Sequence, residues 1–519
     1  MQPNDLGINL HAVLPETIIA VVAFIIMMVD AISRNIERRI AGAISLIGLI
    51  AAGVAVATLW KHDGETSYGV AGQPGMIITD HFRLVFAFVF LIVAFLTVLI
   101  SLRWVKDEEL PVGEYFALLL FATTGMLFMS AANDLVMIFL GLEITSIATY
   151  VLCGYRRRDL RSNESAVKYF ILGSFSTAFL LFGIAFVYGA TYQAGATPVA
   201  TTNLQIIKER IATGHLFSPE MLFAGAAMMI VGFGFKVATA PFHVWSPDVY
   251  EGAPTPVTAF LSTGSKAAAF ASFTRVFVLT FAATPFIAAS SGSLANLQHA
   301  WVNALAVMAI MTMTIGNLVA IVQSNIKRML AYSSIAHAGY ALVGMVALDW
   351  PSVAFYMLSY VIINLGAFGI IEVIARRGDR RTEIADYQGI GFQSLGLATA
   401  LSLFLLSLAG IPLTAGFVSK LLVFKAAWAA GSQTNNSLLH WVVIVGVVNS
   451  AISWYYYLRV VVAMFFAEPA TGYVKPRISR SLVAALVLAI LGTLYLGVLP
   501  GRLLTTLDKA RSQISTAKR

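Results

Sequence analysis

Long apolar stretches follow one another along the chain and are separated by short polar segments. A helix needs about 18 or more apolar residues to cross roughly 30 Å of hydrocarbon, and stretches of that length recur throughout the sequence. The pattern predicts fourteen transmembrane helices, with limits near 12–32, 40–60, 82–102, 113–130, 132–153, 166–190, 220–243, 255–284, 300–322, 328–348, 351–375, 394–424, 437–466 and 481–500. The predicted fold class is an all-α polytopic membrane protein, without room for a soluble domain.

The composition and the absence of certain motifs exclude several other classes of function. Hydrophobic residues make up 58% of the 519, charged residues only 12%, and the mean hydropathy is +0.81. The single cysteine, Cys153, excludes an intrachain disulfide and a cysteine-held iron–sulfur or zinc site. The eight histidines show neither HxxxH nor HExxH spacing, and there is no glycine-rich phosphate loop or dinucleotide fingerprint. The sequence therefore predicts no metal and no redox cofactor in this chain.

Basic residues concentrate in the loops that follow odd-numbered spans. By the positive-inside rule these loops face the cytoplasm, which places both termini outside. A basic C-terminal tail and the acidic pair Asp248 and Glu251 argue the other way, but six consistent short loops outweigh them. The net charge of +8 is then a topology signal, and we expect no nucleic-acid partner. The six loops carry Arg34, Arg38 and Arg39; Arg103 and Lys106; Arg156, Arg157, Arg158 and Arg161; Lys327 and Arg328; Arg376, Arg377, Arg380 and Arg381; and Lys475, Arg477 and Arg480.

Four charged residues inside predicted spans stand out, since a charge near the bilayer centre costs about 2.5–3.5 kcal/mol on insertion scales. They are Glu143, Lys236, Lys266 and Lys420. One interpretation is a structural ion pair that pins two helices. The other is a proton relay: burial lowers the pKa of a lysine from about 10.4, whereas an arginine stays charged. One carboxylate and three lysines exceed what a single ion pair needs, so proton transfer is favoured.

Two spans contain residues that break a helix. ATAPFHVWSP in span 7 and SLAGIPLTAGF in span 12 place proline and glycine at membrane depth. Irregular backbone is tolerated there only where protein or trapped water satisfies it, and such breaks are typical of transporters. Each of these spans is the fourth in a set of five, spans 4 to 8 and 9 to 13. Because five is odd, two such sets would have inverted topology.

Five segments carry a resemblance to a known family. They are PFHVWSPDVYEGAPTPVTAFLSTGSKAAAF (241–270), LVMIFLGLEITSIATYVL (135–152), ESAVKYFILGSFSTAFLLFG (164–183), NIKRMLAYSSIAHAGY (325–340) and AGIPLTAGFVSK (409–420). With these segments the chain resembles the antiporter-like membrane subunits of respiratory complex I, and most of all subunit N. The resemblance extends over nearly the whole length and includes Pro15, Glu16 and Asp30 of the first helix. DVYEGAPTP is specific, because the sister subunits M and L usually read closer to DAHxEAPT.

The resemblance implies fourteen helices in a single transmembrane domain, 1–519, with discontinuous helices 7 and 12. Within it, three N-terminal helices (1–110) would precede a first five-helix repeat, helices 4–8 (111–284). An inverted second repeat, helices 9–13 (300–466), and a last helix (481–500) would follow.

The resemblance also implies a chain of buried charges in the mid-membrane plane. Glu143 matches the family's helix 5 glutamate, and Lys236, Lys266 and Lys420 match its lysines on helices 7, 8 and 12. Subunit M usually has glutamate at the last of these positions, which favours subunit N. The end near residue 519, without a long amphipathic extension, argues against subunit L.

Four further residues are weaker candidates for the proton pathway. Lys168 lies either at the membrane interface or on the pathway. His243, His337 and Tyr332 lie in helices or at breaks where water could pass, and each is either a helix-contact residue or a proton shuttle.

The function expected from these residues and from the resemblance is proton translocation in NADH-quinone oxidoreductase (complex I) of the bacterial plasma membrane. Protons would enter from the cytoplasmic side near Lys236 and Lys266 and leave past Lys420, with Glu143 setting the charge of Lys236. The resemblance places FMN, iron–sulfur clusters and quinone in partner subunits, with M- and K-type subunits and lipids as neighbours. Three alternatives remain open: a subunit of an Mrp-type cation/proton antiporter, of a ferredoxin-linked photosynthetic complex, or a structural scaffold.

Overall fold

The computed structural model describes residues 7–33, 37–69, 74–193, 200–282, 293–468 and 478–516. The predicted end of the eighth span, residues 283–284, and the extreme termini lie outside this set. The first helices are α1 Leu14–Ser33, α2 Arg38–Leu59, α3 His81–Asp107, α4 Val112–Ala131, α5 Leu135–Cys153, α6 Leu160–Ala190, α7 Leu204–Thr213, α8 Pro219–Val237, α9 Trp245–Gly252, α10 Thr255–Phe260 and α11 Lys266–Thr274.

The later helices are α12 Ser293–Ile321, α13 Ile326–Val346, α14 Trp350–Ala375, α15 Ile390–Gln393, α16 Leu395–Ala409, α17 Ala415–Thr434, α18 Ser437–Phe466, α19 Arg480–Val498 and α20 Gly501–Thr516. π-Helical segments Leu261–Ser265 and Arg275–Phe281 follow α10 and α11. One hairpin joins β1 Thr66–Ser67 to β2 Ile77–Ile78 in antiparallel pairing.

Twelve of the described helices are long and apolar enough to cross a membrane, and each coincides with a predicted span. The all-α polytopic membrane fold is thereby confirmed. Two predicted spans take another form. Residues 255–281 run as alternating α- and π-helical pieces, and α16 and α17 are two halves of one interrupted span. The total of fourteen spans, and the division into two repeats, stay predictions.

Helices α3, α13 and α14 form the centre of the molecule. They are apolar on nearly all sides, which is the pattern of a helix buried all round, and most of their residues are inaccessible to solvent. By contrast, α1, α6 and α19 expose many large apolar side chains, as expected of helices in contact with lipid. The candidate residues on α13 therefore lie deep inside the protein.

Close packing of small residues sets the position of α8. A Cβ atom added to Gly183 on α6 would lie 2.8 Å from the carbonyl oxygen of Gly225 on α8. Only glycine permits this approach of two backbones, as in other membrane helix pairs. The contact holds α8 against α6. It thereby sets the position of the helix break that follows α8 at Val237.

The two ends of the helix bundle differ in charge. At one end, which we call the basic face, the loops around Arg156 and Asp379 meet through an ion pair of 3.0 Å. At the opposite end, Arg83 at the start of α3 donates to the carbonyl oxygen of Ala12 just before α1. Helix α20, which the sequence pattern did not predict, contacts α3 and α14 and lies at this same end, because its Arg511 pairs with Asp349 just before α14. The described ends of the chain therefore share one face.

Candidate functional site: a line of buried lysines

The break after α8 leaves Lys236 in the last turn of a helix. Helix α8 ends at Val237, and Ala238 takes a left-handed conformation with φ 58°. The carbonyl oxygen of Phe235 accepts a hydrogen bond of 2.9 Å from Nε1 of Trp245, the first residue of α9. The break predicted in the seventh span is therefore confirmed. It places the Lys236 ammonium group near the negative end of a helix dipole.

Lys236 is 6% exposed, and its Nζ donates to neutral groups on α5. The distance to Ser146 Oγ is 2.7 Å and the distance to Tyr150 Oη is 3.4 Å. The same atom lies 5.4 Å from the ring centre of Tyr150 and 5.5 Å from that of Tyr169, within the range of a cation–π contact. Hydroxyl and aromatic groups of the protein thus surround the ammonium group.

Glu143 lies one helical turn before Ser146, the hydrogen-bond partner of Lys236. Residues three apart on a helix share a face, so the carboxylate is a near neighbour of the lysine. No ion pair within 4.0 Å joins Glu143 to any described residue, and its Oε1 is a buried atom without a hydrogen-bond partner there. The residue as a whole is half-buried. A direct ion pair between Glu143 and Lys236 is therefore not the arrangement found.

Lys266 begins α11, directly after the π-helical turn Leu261–Ser265. Such turns are rare and frequently mark functional sites. Nζ of Lys266 donates to the carbonyl oxygen of Ser334 at 2.7 Å and makes a short contact with Ser334 Oγ. Ser334 Oγ accepts in turn from Tyr360 Oη at 2.8 Å. Hydrogen bonds therefore connect Lys266 first to the Ser334 hydroxyl and then to the Tyr360 hydroxyl.

His337 lies between Lys266 and Lys420. Its Nδ1 is 2.6 Å from Tyr356 Oη, and its Nε2 is 3.3 Å from Tyr457 Oη. Its ring centre lies 5.2 Å from that of Tyr360 and 5.7 Å from that of Tyr340. The histidine thus touches the tyrosine next to Lys266 on one side and a second tyrosine on the other.

Lys420 occupies the second helix break. Gly410 follows α16 with φ 95°, a conformation that favours glycine, and α17 begins at Ala415. Nζ of Lys420 donates to the carbonyl oxygen of Ala409 at 3.0 Å and to Ser450 Oγ at 2.9 Å. It also lies 4.8 Å from the ring centre of Tyr340, the same ring that contacts His337. The predicted break in the twelfth span is confirmed.

These contacts bring three of the predicted residues into one polar line. It runs from Lys266 through Ser334, Tyr360, His337 and Tyr340 to Lys420, and we call it the lysine line. Every group between the two lysines is neutral or titratable rather than permanently charged. Lys236 stands at the side of this line, on α8 against α5.

The weaker candidates other than His337 lie in three different places. Lys168 lies at the basic face, where it forms ion pairs of 2.7 Å with Glu164 and with Asp248. His243 lies in the first helix break, half-buried, and its Nδ1 has no hydrogen-bond partner among the described residues. Tyr332 is half-buried on α13. A pathway role for these three residues remains a prediction.

Sequence reasoning missed a second set of buried charges. Arg83 pairs with Glu16 at 2.8 Å, both side chains being 1% exposed, and Arg275 makes two hydrogen bonds of 2.8 and 2.9 Å to Asp80. Arg83 and Arg275 both fall inside predicted spans, so an inspection for every basic residue in the spans would have found them. Their partners, 67 and 195 positions away, carry no local signal.

The buried basic residues differ in whether a carboxylate lies beside them. Arg83, Arg275 and Lys327 each have a carboxylate within 4.0 Å. Lys236, Lys266 and Lys420 have none among the described residues, and they donate instead to hydroxyl and carbonyl oxygens. A permanent carboxylate partner would hold a lysine charged, whereas neutral partners leave it free to lose a proton. Within the described residues, the three lysines therefore lack the carboxylate contact of a static ion pair.

Comparison with known proteins places the chain in one family. A family profile described as "NADH:quinone oxidoreductase/Mrp antiporter, TM" matches residues 132–453. The NADH-quinone oxidoreductase subunit N of Trichlorobacter lovleyi is 41% identical over 97% of this chain and 97% of its own length. The NAD(P)H-quinone oxidoreductase subunit 2 of a Nostoc species is 39% identical over 96% of this chain and 92% of its own length.

A solved structure agrees with these relatives. A chain of respiratory complex I from Thermus thermophilus with bound aureothin has a TM-score of 0.75 and 30% identity to this chain, covering 95% of this chain and 99% of that one. The fold, the two helix breaks and the buried lysines together define the class of antiporter-like, multi-pass membrane proteins. This chain belongs to the NADH:quinone oxidoreductase/Mrp antiporter family, and within that family to the subunit N type.

Proposed function

We propose that this chain translocates protons as the N-type subunit of a membrane-bound NADH:quinone oxidoreductase. The observation that carries the proposal is the lysine line, whose buried lysines have no carboxylate partner among the described residues. Hydrogen bonds join Lys266 through Ser334 to Tyr360. Ring contacts of Tyr360, His337 and Tyr340 continue the line to Lys420. The family match and the 41% identity to a subunit N relative support the assignment to this kind of complex.

The chemistry of the line suits proton transfer. A buried lysine can release and regain a proton, which an arginine cannot do at accessible pH. Hydroxyl groups both donate and accept hydrogen bonds, and a neutral histidine holds a proton on one ring nitrogen and accepts one on the other. Lys266 and Lys420 would be the stations, and Ser334, Tyr360 and His337 the transfer groups between them.

The proposed route begins at the basic face, near Lys236 and Lys266, and ends past Lys420 on the opposite face. The helix breaks support it, because broken helices at membrane depth admit water and turn backbone dipoles toward an ion. By the positive-inside rule the basic face is cytoplasmic, and the complex lies in a bacterial plasma membrane with both termini outside.

Glu143 supports a role for a neighbouring subunit. It is half-buried on α5, beside the serine that binds Lys236, and one of its oxygens is buried without a partner among the described residues. A charge on an adjacent subunit would act on Glu143, and through it on Lys236. We propose K- and M-type subunits as the neighbours, with FMN, iron–sulfur clusters and quinone in other subunits. The driving energy then reaches this chain as a change of charge.

The electron donor is a separate question. The names of the Trichlorobacter and Nostoc relatives give NADH and NAD(P)H as donors, which supports NADH over the ferredoxin-linked alternative. An Mrp-type antiporter subunit is the less favoured alternative, since the relatives with high identity are quinone oxidoreductase subunits. Purification distinguishes these cases: an antiporter would lack flavin and iron–sulfur partners.

The test is proton pumping measured together with electron transfer in membranes that carry Lys236→Ala. Lys425→Ala is the matched control, because Lys425 is an exposed lysine on α17. Assembly of the complex is checked on native gels. We expect an assembled Lys236→Ala complex with pumping and coupled turnover both reduced, and a control like the wild type. Full activity of Lys236→Ala would overturn the assignment, and loss of assembly would support the scaffold alternative.

A further inference from the structure

Three metal-binding side chains meet on the face that carries the start of the chain. His11 precedes α1, and His62 and Glu65 lie in the loop between α2 and β1. One possible ligand atom of each lies within 4.8 Å of those of the other two. The two histidine rings are edge to face with centres 4.7 Å apart, and His62 Nδ1 lies 2.8 Å from Glu65 Oε1. We call these three residues the His–His–Glu cluster.

A fourth residue, Asn9, holds the cluster in shape. Its Nδ2 donates to Glu65 Oε2 at 2.9 Å, which orients the carboxylate and leaves Oε1 toward His62. Its Oδ1 accepts from the backbone N–H of His11 at 3.1 Å, and its own backbone N–H donates to Ser67 Oγ at 3.0 Å. One asparagine thus fixes ligands from two distant segments. Metal sites use outer hydrogen bonds of this kind to orient their ligands.

The backbone of the loop is also fixed. The N–H of Thr79 donates to the carbonyl oxygen of Glu65 at 2.8 Å, and the N–H of Gly64 donates to that of Thr79 at 2.7 Å. These bonds tie the loop to the residue just before the cap of α3. The ligands therefore project from an anchored loop rather than from a free one.

We propose that the His–His–Glu cluster binds a divalent transition-metal ion of the zinc type, with water in the remaining position. Two imidazoles and one carboxylate are a known zinc ligand set, with bonds of about 2.0–2.2 Å. Tetrahedral geometry at such bond lengths puts ligand atoms roughly 3.4 Å apart, so the three side chains close on the ion by rotation over a short distance. The metal replaces the hydrogen bond between His62 and Glu65 and links the segment before α1 to the loop after α2.

The site lies outside the lysine line and has no part in the proposed proton route. The ligand spacing explains why the sequence predicted no metal centre: His11 and His62 are 51 positions apart, unlike the short spacings of recognised zinc motifs. Within the described residues, the two segments come together through the hydrogen bonds of Asn9 and Ser67.

The test is zinc binding by the full-length chain, purified in detergent and first stripped with a chelator. Calorimetric titration with Zn²⁺ is expected to give one saturable site per chain, and Co²⁺ is expected to give the intense visible absorption of tetrahedral coordination. We expect His62→Ala and Glu65→Gln to abolish the site or weaken it at least tenfold. Asn9→Ala should weaken it by about ten- to a hundredfold, as outer-ligand changes do.

The matched control is His215→Ala, because His215 is exposed in another loop and lies outside the cluster. Its zinc affinity is expected to equal that of the wild type. Two results would overturn the proposal. One is a wild-type chain without saturable zinc binding, which would make the cluster a hydrogen-bonded pair with a neighbouring ring. The other is a site whose affinity is unchanged in both His62→Ala and Glu65→Gln, which would place the metal elsewhere.

Discussion

Lys420, on the second half of a broken helix, donates a hydrogen bond of 3.0 Å to the carbonyl oxygen of Ala409, the last residue of the first half. That oxygen has no partner further along its own helix, because α16 ends there. The same ammonium group lies at the end of the lysine line. One side chain therefore closes the break in the backbone and stands where the proposed route leaves the protein interior.

Replacing Lys420 by methionine keeps an unbranched side chain, shorter by one atom, and removes the amine that carries the proton. We expect Lys420→Met to lower proton pumping by about tenfold or more, because the line then lacks its last acceptor. Pumping is measured in inside-out vesicles, with electron transfer recorded in parallel. Lys425→Met, at an exposed position of the same helix, is the control and should pump normally. Wild-type pumping by Lys420→Met would exclude Lys420 from the route.

His337 lies between the two ends of the line, in ring contact with Tyr360 and Tyr340, so its removal should interrupt transfer. We expect His337→Phe, which keeps a ring of similar size, to lower pumping by about tenfold or more. His440→Phe is the matched control: His440 contacts Ser432 in an exposed position and lies outside the line. The measurement is the number of protons moved per electron. A ratio equal to that of the wild type in His337→Phe would show that protons bypass the histidine.

Asp379 is the centre of the buried ion network at the basic face. It lies 3.0 Å from Arg156 and 3.1 Å from Lys327. Removing one member of a buried network leaves the other charges unpaired and typically costs about 3–5 kcal/mol. We therefore expect Asp379→Asn to lower the unfolding temperature clearly. Glu109→Gln is the control, since Glu109 and Arg377 form an exposed pair worth about 1 kcal/mol or less.

The same network gives a pH dependence. Burial raises the pKa of the Asp379 carboxyl, and the positive charges of Lys327 and Arg156 lower it by more. The net effect takes the pKa from an ordinary 3.8 to about 2. A carboxyl whose pKa is lower in the folded state stabilises the fold above its ordinary pKa, and this contribution is lost as pH falls toward the folded value. The difference in unfolding temperature between wild type and Asp379→Asn should therefore be constant above about pH 5 and shrink toward pH 2. A difference that stays constant over this range would contradict the assignment.

Much of the site could be predicted from local sequence. Lys236, Lys266 and Lys420 stand out because apolar residues surround each of them, and a charge in such a stretch must lie inside the protein. The two breaks were predictable because Pro241 and Pro412 interrupt spans that are otherwise continuous. These features depend on residues within a few turns of one another.

What could not be predicted depends on contacts between distant segments. The pairing of Arg275 with Asp80 joins residues 195 positions apart, and the π-helical turn before Lys266 has no local sequence rule. The hydrogen bond from Lys236 to Ser146 joins residues 90 positions apart, and no local pattern indicates it. Helix α20 escaped prediction because its short amphipathic pattern lacks the length of a span.

The most direct test of the central claim is the number of protons pumped per electron by complexes that carry Lys266→Arg or Lys327→Arg. Both lysines are buried, but among the described residues Lys327 has a carboxylate partner and Lys266 has only the oxygens of Ser334. Arginine keeps the positive charge and cannot release its proton. If Lys266 is a relay, Lys266→Arg will assemble and lose pumping, whereas Lys327→Arg will pump like the wild type. Normal pumping by Lys266→Arg would contradict the account.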